Sequence, residues 1–124
     1  MSDDVERGAA AVVFDPRAVA SLTGDAADPD FAVVFVSAYR RLLPARIERI
    51  LATLRTGDLD DVLDAVLSLK VSSCTLGAGE LQQLGADLEG RVRLGALPGA
   101  LAAAQALPAA AERADAALGS FLAA

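Results

Sequence analysis

The chain has no histidine and no tryptophan, and only one cysteine, one tyrosine and one lysine among its 124 residues. Each shortage closes off a class of chemistry. Without imidazole there is no side chain that is both nucleophilic and basic near neutral pH, and a serine or cysteine nucleophile has no histidine to activate it. A single cysteine, Cys74, can form neither an internal disulfide nor a zinc or iron–sulfur site; it fits a reducing compartment and reads as a small, partly buried hydrophobe. Aromatic residues make up 4% of the chain and hydrophobic residues 54%. Much of that apolar content is alanine and leucine, the leading helix formers. The most apolar runs, Ala9–Phe14 and Phe31–Val36, are far shorter than a bilayer requires. No cationic, apolar leader opens the chain, so no secretion signal is expected and the expected location is cytoplasmic, without membrane contact. The net charge is −6. No cluster of Lys or Arg interrupts it, which argues against a nucleic-acid partner, since such a partner needs a basic stripe.

What is present is helical patterning cut by good punctuation. The length suits one domain, with a tail over residues 1–14 and a folded unit over 15–124. Asp15-Pro16 reads as a cap followed by proline in the first turn, opening a short helix near 16–22 that Gly24 ends. Asp28-Pro29 opens a long helix over about 28–55. Its apolar stripe is Phe31, Val34, Phe35, Ala38 and Leu42, then Leu43, Ile47, Ile50, Leu51 and Leu54. The stripe slips in phase beside Pro44, which predicts a kink there rather than a break. Thr56-Gly57-Asp58 supplies a turn and a cap for a helix over 59–76. Gly77–Gly79 makes a corner into a helix over 80–94, and Gly95–Gly99 makes the last corner. The final helix, over 100–122, contains Pro108, which kinks it or splits it in two. No useful stretch alternates with period two. The prediction is an all-α fold: an antiparallel up-down four-helix bundle of 28–55, 59–76, 80–94 and 100–122, with a short accessory N-terminal helix.

From Asp64 to Glu89 the chain reads D-A-V-L-S-L-K-V-S-S-C-T-L-G-A-G-E-L-Q-Q-L-G-A-D-L-E. Leu69, Lys70, Ser72, Ser73, Leu76, Gly77, Ala78, Leu81, Leu84, Leu88 and Glu89 match, without a gap, the pattern A-H-x-L-K-G-S-S-x-x-L-G-A-x-x-L-x-x-L-C-x-x-L-E. This helix pair resembles the signature of histidine-containing phosphotransfer (Hpt) domains, with a difference. The position of the phosphorylated histidine falls on Leu67, and the glycine after the lysine falls on Val71. The resemblance implies a four-helix bundle that meets a response-regulator receiver domain or a histidine kinase. It also implies that the chemistry is gone, because a leucine side chain has no lone pair with which to attack a phosphoaspartate. The chain is therefore expected to be no enzyme, with no catalytic residue, no cofactor and no metal. By the family pattern Ser72 and Ser73 are small packing residues, and neither they nor Ser68 has a base to activate it. Asp58, Asp60, Asp61 and Asp64 crowd the start of the 59–76 helix, where they suit its positive end better than they suit a metal.

On a helical wheel Leu59, Val62, Val66, Leu69, Ser73 and Leu76 form the core stripe of that helix, whereas Leu67 and Val71 lie far round from it. With Leu63 and Cys74 they make a second apolar stripe, edged by Lys70, the only lysine beside ten arginines. Two readings stand. Either the stripe packs beneath the segment Ala9–Ala20, or it is an exposed patch that binds a partner. The candidate partner-binding residues are Leu63, Leu67, Lys70, Val71 and Cys74. Lys70 resembles the family lysine beside the phosphohistidine, and it either meets a receiver's acidic pocket or is simply solvated. Two functions follow: a docking module that holds a relay partner without exchanging phosphate, or a helical bundle that closes a homodimer through the Leu63/Leu67/Val71 face.

Overall fold

Glycines, prolines and one aspartate cap set the helix ends. The computed structural model describes residues 12–23 and 29–124. Among these the chain forms six helices and no strand, in keeping with the expected all-α class. They are α1 (Pro16–Thr23), α2 (Pro29–Thr56), α3 (Leu59–Leu76), α4 (Gly79–Arg93), α5 (Leu97–Ala104) and α6 (Leu107–Ala123). The cap expected at Asp28, the stop at Gly24 and residues 1–11 of the expected tail lie outside the described residues.

The turn between α2 and α3 shows how closely local sequence dictates structure. Gly57 takes a φ of 78° that side chains disfavour. The Asp58 carboxylate then accepts from the backbone N–H groups of Asp60 and Asp61, at 3.1 and 3.2 Å, which satisfies two of the donors every helix start leaves free. At the other end of α3, Gly77 is left-handed at φ 88°, and its N–H and that of Ala78 turn back to the Ser73 carbonyl at 3.0 and 2.8 Å. The Asp15 N–H reaches the Gly77 carbonyl at 2.8 Å, so the start of α1 is pinned to this corner. Just before it, the Phe14 ring meets Phe121 of α6 edge-on at 5.4 Å.

The C-terminal part departs from expectation in its punctuation. Pro98 and Pro108 each lie in the first turn of a helix, where a missing N–H costs nothing, and of the two outcomes expected at Pro108, a kink or a split, the split is found, giving α5 and α6. The last corner ends at Ala96, because Leu97 already begins α5, rather than running to Gly99. Pro44 leaves α2 a single helix from Pro29 to Thr56.

The helices close around one core. α2 packs on α3, α5 and α6; α3 packs on α4; α4 packs on α5 and α6; α1 lies against α3 and α2. Its buried residues include Val36, Tyr39, Leu43, Ile47, Ile50 and Leu54 from α2 and Val62, Ala65, Val66, Leu69 and Leu76 from α3. Leu81, Leu88 and Val92 come from α4, and Leu107, Ala110, Ala114 and Leu118 from α6. Five side chains expected on apolar stripes are instead exposed: Phe31, Val34 and Leu42 of α2, Leu59 of α3 and Leu101 of α5. The buried line of α2 before Pro44 is Val36, Tyr39 and Leu43, displaced round the helix from the expected one.

Two contacts between α2 and α3 show that they run antiparallel. The Tyr39 hydroxyl meets the Ser73 hydroxyl at 2.7 Å in the core, and Arg49 Nη2 meets Asp64 Oδ2 at 2.7 Å on the surface. Burial pushes the Tyr39 phenol above its ordinary pKa, against the opposing effects of the Ser73 hydrogen bond and the Arg46 charge, so the pair stays neutral.

Candidate functional site on the outer face of α3

α3 presents the five candidate residues along the side away from Val62, Leu69 and Ser73. Their surroundings differ. Leu63 is half-buried and packs against the core. Leu67 is half-buried, so it is neither a core leucine nor a free one. Val71 stands out, 60% exposed. Cys74 is exposed, which corrects its reading as a partly buried hydrophobe. In the described part of the segment expected to cover this stripe, Val12, Asp15 and Ala18 approach Gly77 and Gly79 at the corner beyond it.

Lys70 is half-buried and paired within the chain. Its ammonium donates to Glu89 Oε1 at 2.6 Å, and the other oxygen of Glu89 accepts from Arg93 Nε at 2.9 Å. The Glu89 side chain is only 16% exposed, so one carboxylate sits between two cations and ties α3 to α4. What brings the helices so close is Gly85. A Cβ there would lie 3.0 Å from Lys70 Cβ and 3.2 Å from its Cα. Hydrogen bonds from Lys70 first, and then from Arg93, hold the Glu89 carboxyl below its ordinary pKa. A carboxyl with a depressed native pKa contributes stability that is complete above its unfolded pKa and fades as the pH falls through the native value. The difference in melting temperature between the wild type and Glu89→Gln should therefore be constant near neutrality and shrink below about pH 4.3, the ordinary glutamate value. A difference that grew on acidification would contradict the pair.

Three of the four hydroxyls of α3, all but that of exposed Ser68, are engaged within the chain. Ser72 Oγ donates to the Ser68 carbonyl at 2.8 Å, Thr75 Oγ1 donates to the Val71 carbonyl at 2.9 Å, and Ser73 is closed in the core against Tyr39. Among the described residues no group of three or more His, Cys, Asp or Glu side chains is placed to hold a metal ion, and Asp64 is engaged by Arg49. A groove of about 590 Å³ lies on another side of α2, lined by Leu43, Pro44, Ile47, Leu51, Pro108 and Ala111, and none of the five candidates borders it.

The sequence had not linked Lys70 to Glu89, Arg49 to Asp64 or Tyr39 to Ser73. Only the first left a usable trace, since both partners are motif positions and Gly85 stands where the family pattern also has a small residue.

α3 and α4 thus form a capped helix pair, locked together by a glycine contact and an ion pair, within an all-helical domain. The Hpt domain family model matches residues 34–117, more than half of the chain, and the chain belongs to that family. Hpt domains are phosphotransfer modules of two-component phosphorelays, and they interact with receiver domains and histidine kinases. Neither the curated proteins nor the solved structures compared with the chain include a match. Among the described residues no helix is long and apolar enough to cross a membrane.

Proposed function

We propose that this chain is an Hpt-type docking module that binds a receiver domain or histidine kinase without exchanging phosphate, and so is not an enzyme. One observation carries the reading. Leu67 occupies the position of the phosphorylated histidine in a chain with no histidine anywhere. Phosphoryl transfer needs a nucleophile in line with the phosphoaspartate, and hydrocarbon cannot supply one. The engagement of Ser72 and Thr75 by their own helix supports the same conclusion. In this reading residues 15–124 form the domain, with 1–14 as a tail. α2, α3, α4 and the α5–α6 pair make an antiparallel four-helix bundle, and α1 is its accessory helix. The docking face is Leu63, Leu67, Lys70, Val71 and Cys74, of which Val71 and Cys74 offer most to a partner. The setting is the cytoplasm, a reducing compartment that suits a lone exposed cysteine.

The test is a reconstituted relay. Incubated with a labelled, phosphorylated receiver or an active histidine kinase, the chain should acquire no acid-labile phosphate, while unlabelled chain in excess should slow transfer to a histidine-bearing Hpt domain. Label on the chain, at any residue, would overturn the reading. Val71→Asp should weaken receiver binding about tenfold or more, a loss of roughly 1.4 kcal/mol, and leave the melting temperature nearly unchanged. Leu67→Asn should weaken binding too, but it should also cost about 1 kcal/mol of stability, because half of a leucine's burial is lost with it.

A further inference from the structure

The groove between α2 and α6 has no part in the docking face, yet its volume of about 590 Å³ is that of a ligand site. Clefts that hold small organic molecules span roughly 300–1,000 Å³ and are mostly apolar, with a few polar groups converging on them. This one has a hydrocarbon floor: Leu43 and Ile47 are buried, and Leu51 and Ala111 are half-buried. It stays open because its other apolar walls are short, Pro44 on α2 and Pro108 and Ala116 on α6. An apolar body laid on that floor removes it from water.

The charges around the groove decide what such a body carries. Arg40 and Asp115 line it but satisfy each other, Nε to Oδ1 at 2.8 Å and Nη2 to Oδ2 at 3.2 Å. Glu48 on the α2 wall and Glu112 on the α6 wall differ from that pair. Both are exposed, and neither has a hydrogen bond or ion pair among the described residues. Arg55 is also unpaired among them, but it lies two turns beyond Glu48, in the last turn of α2. Three carboxylates therefore line the groove against two guanidiniums, and the chain's net charge of −6 adds to the bias against anions.

We propose that this groove is a binding site for a small amphipathic cation, an apolar body lying on Leu43, Ile47 and Leu51 with an ammonium head received by Glu48 and Glu112. A fatty acid would find one free cation, Arg55, and would meet both free carboxylates. The site is apart from the docking face and does not depend on it, since none of Leu63, Leu67, Lys70, Val71 and Cys74 borders the groove. Exposed carboxylates attract only modestly. The floor therefore supplies the affinity and the two glutamates supply the choice of head group.

The test is a nitrogen-15 NMR titration of the full chain with decylammonium and with decanoate, which share a tail and differ in charge, each kept below its micelle-forming concentration. Decylammonium should shift the amides of Ile47, Leu51 and Ala111 most, and bind about tenfold or more tightly than decanoate. Glu48→Gln with Glu112→Gln should remove that preference and leave the melting temperature nearly unchanged, because neither carboxylate has a partner to lose. Ala111→Phe, which fills the groove, should abolish binding of both probes. Decanoate binding as tightly as decylammonium overturns the proposal, and so does a preference that survives the double substitution. Shifts spread over the surface without a lead at the groove also overturn it, as does the lack of any shift with either probe. Groove signals that broaden with protein concentration in the absence of a probe would give the groove to a second copy instead, which overturns it too.

Discussion

Gly77→Ala should lower the stability of the chain by about 3 kcal/mol, the sum of two penalties that cannot relax independently. The first is conformational. At φ 88° the residue is left-handed, which costs an ordinary side chain roughly 1–2 kcal/mol. The second is steric. The new methyl would stand 2.5 Å from the Asp15 carbonyl oxygen and 2.7 Å from Ala18 Cβ, and neither is the end of a flexible side chain. Relief requires α1 to lift away from the corner, which sacrifices the hydrogen bond from Asp15 N–H to the Gly77 carbonyl. Overpacking of this sort costs about 1–3 kcal/mol. Urea denaturation gives the number directly. A loss below about 1 kcal/mol would mean that the start of α1 is not pinned to α3 as described.

Gly85→Leu should be comparably damaging, at about 2–3 kcal/mol, for a different reason. Gly85 has ordinary helical geometry, so the backbone tolerates a side chain; the obstacle is Lys70, whose Cβ and Cα stand 3.0 and 3.2 Å from the added carbon. A leucine there pushes α4 off α3 and stretches the Lys70–Glu89 pair. Gly85→Ala is the informative companion. Its gain in helix propensity, about 1 kcal/mol, opposes a contact that must yield by only a few tenths of an ångström, so the net change should be near zero. If alanine and leucine proved equally harmful, the close approach of the two helices would not be the cause.

The two glycines also show what a sequence can reveal. Gly77 was legible as a corner because a glycine after a run of helical apolar residues has a local meaning. The same holds for the Asp58 cap and for the two prolines that each begin a helix. Gly85 was not legible, since its role depends on the distance between α3 and α4, which no single helix encodes. The first half of α2 went astray for a related reason. Hydrophobic periodicity reports that one side of a helix is apolar and does not say what covers it. Phe31, Val34 and Leu42 gave the clearest stripe, yet the core took Val36, Tyr39 and Leu43. The slip beside Pro44 was thus a change from one stripe of α2 to the other. On α3 the wheel separated Val71 from the core correctly, but it could not grade Leu63 and Leu67, whose partial burial depends on neighbouring helices. Lys70 was weighed against a partner or against water, whereas its nearest counter-charge, Glu89, was already in the chain.

The hydroxyl pair between Tyr39 and Ser73 matters most for the structures it rules out. In place it is worth about 1 kcal/mol, no more than an ordinary hydrogen bond. If α2 slid along α3 by one helical turn, about 5.4 Å, aliphatic side chains could meet other aliphatic side chains with modest loss. The two hydroxyls could not, and each would stay buried without a partner at a cost of about 1–3 kcal/mol. In a core otherwise built, among the described residues, of alanine, leucine, valine and isoleucine, this one polar contact works as an alignment pin: it adds little to the depth of the native well and raises the floor of its nearest competitors.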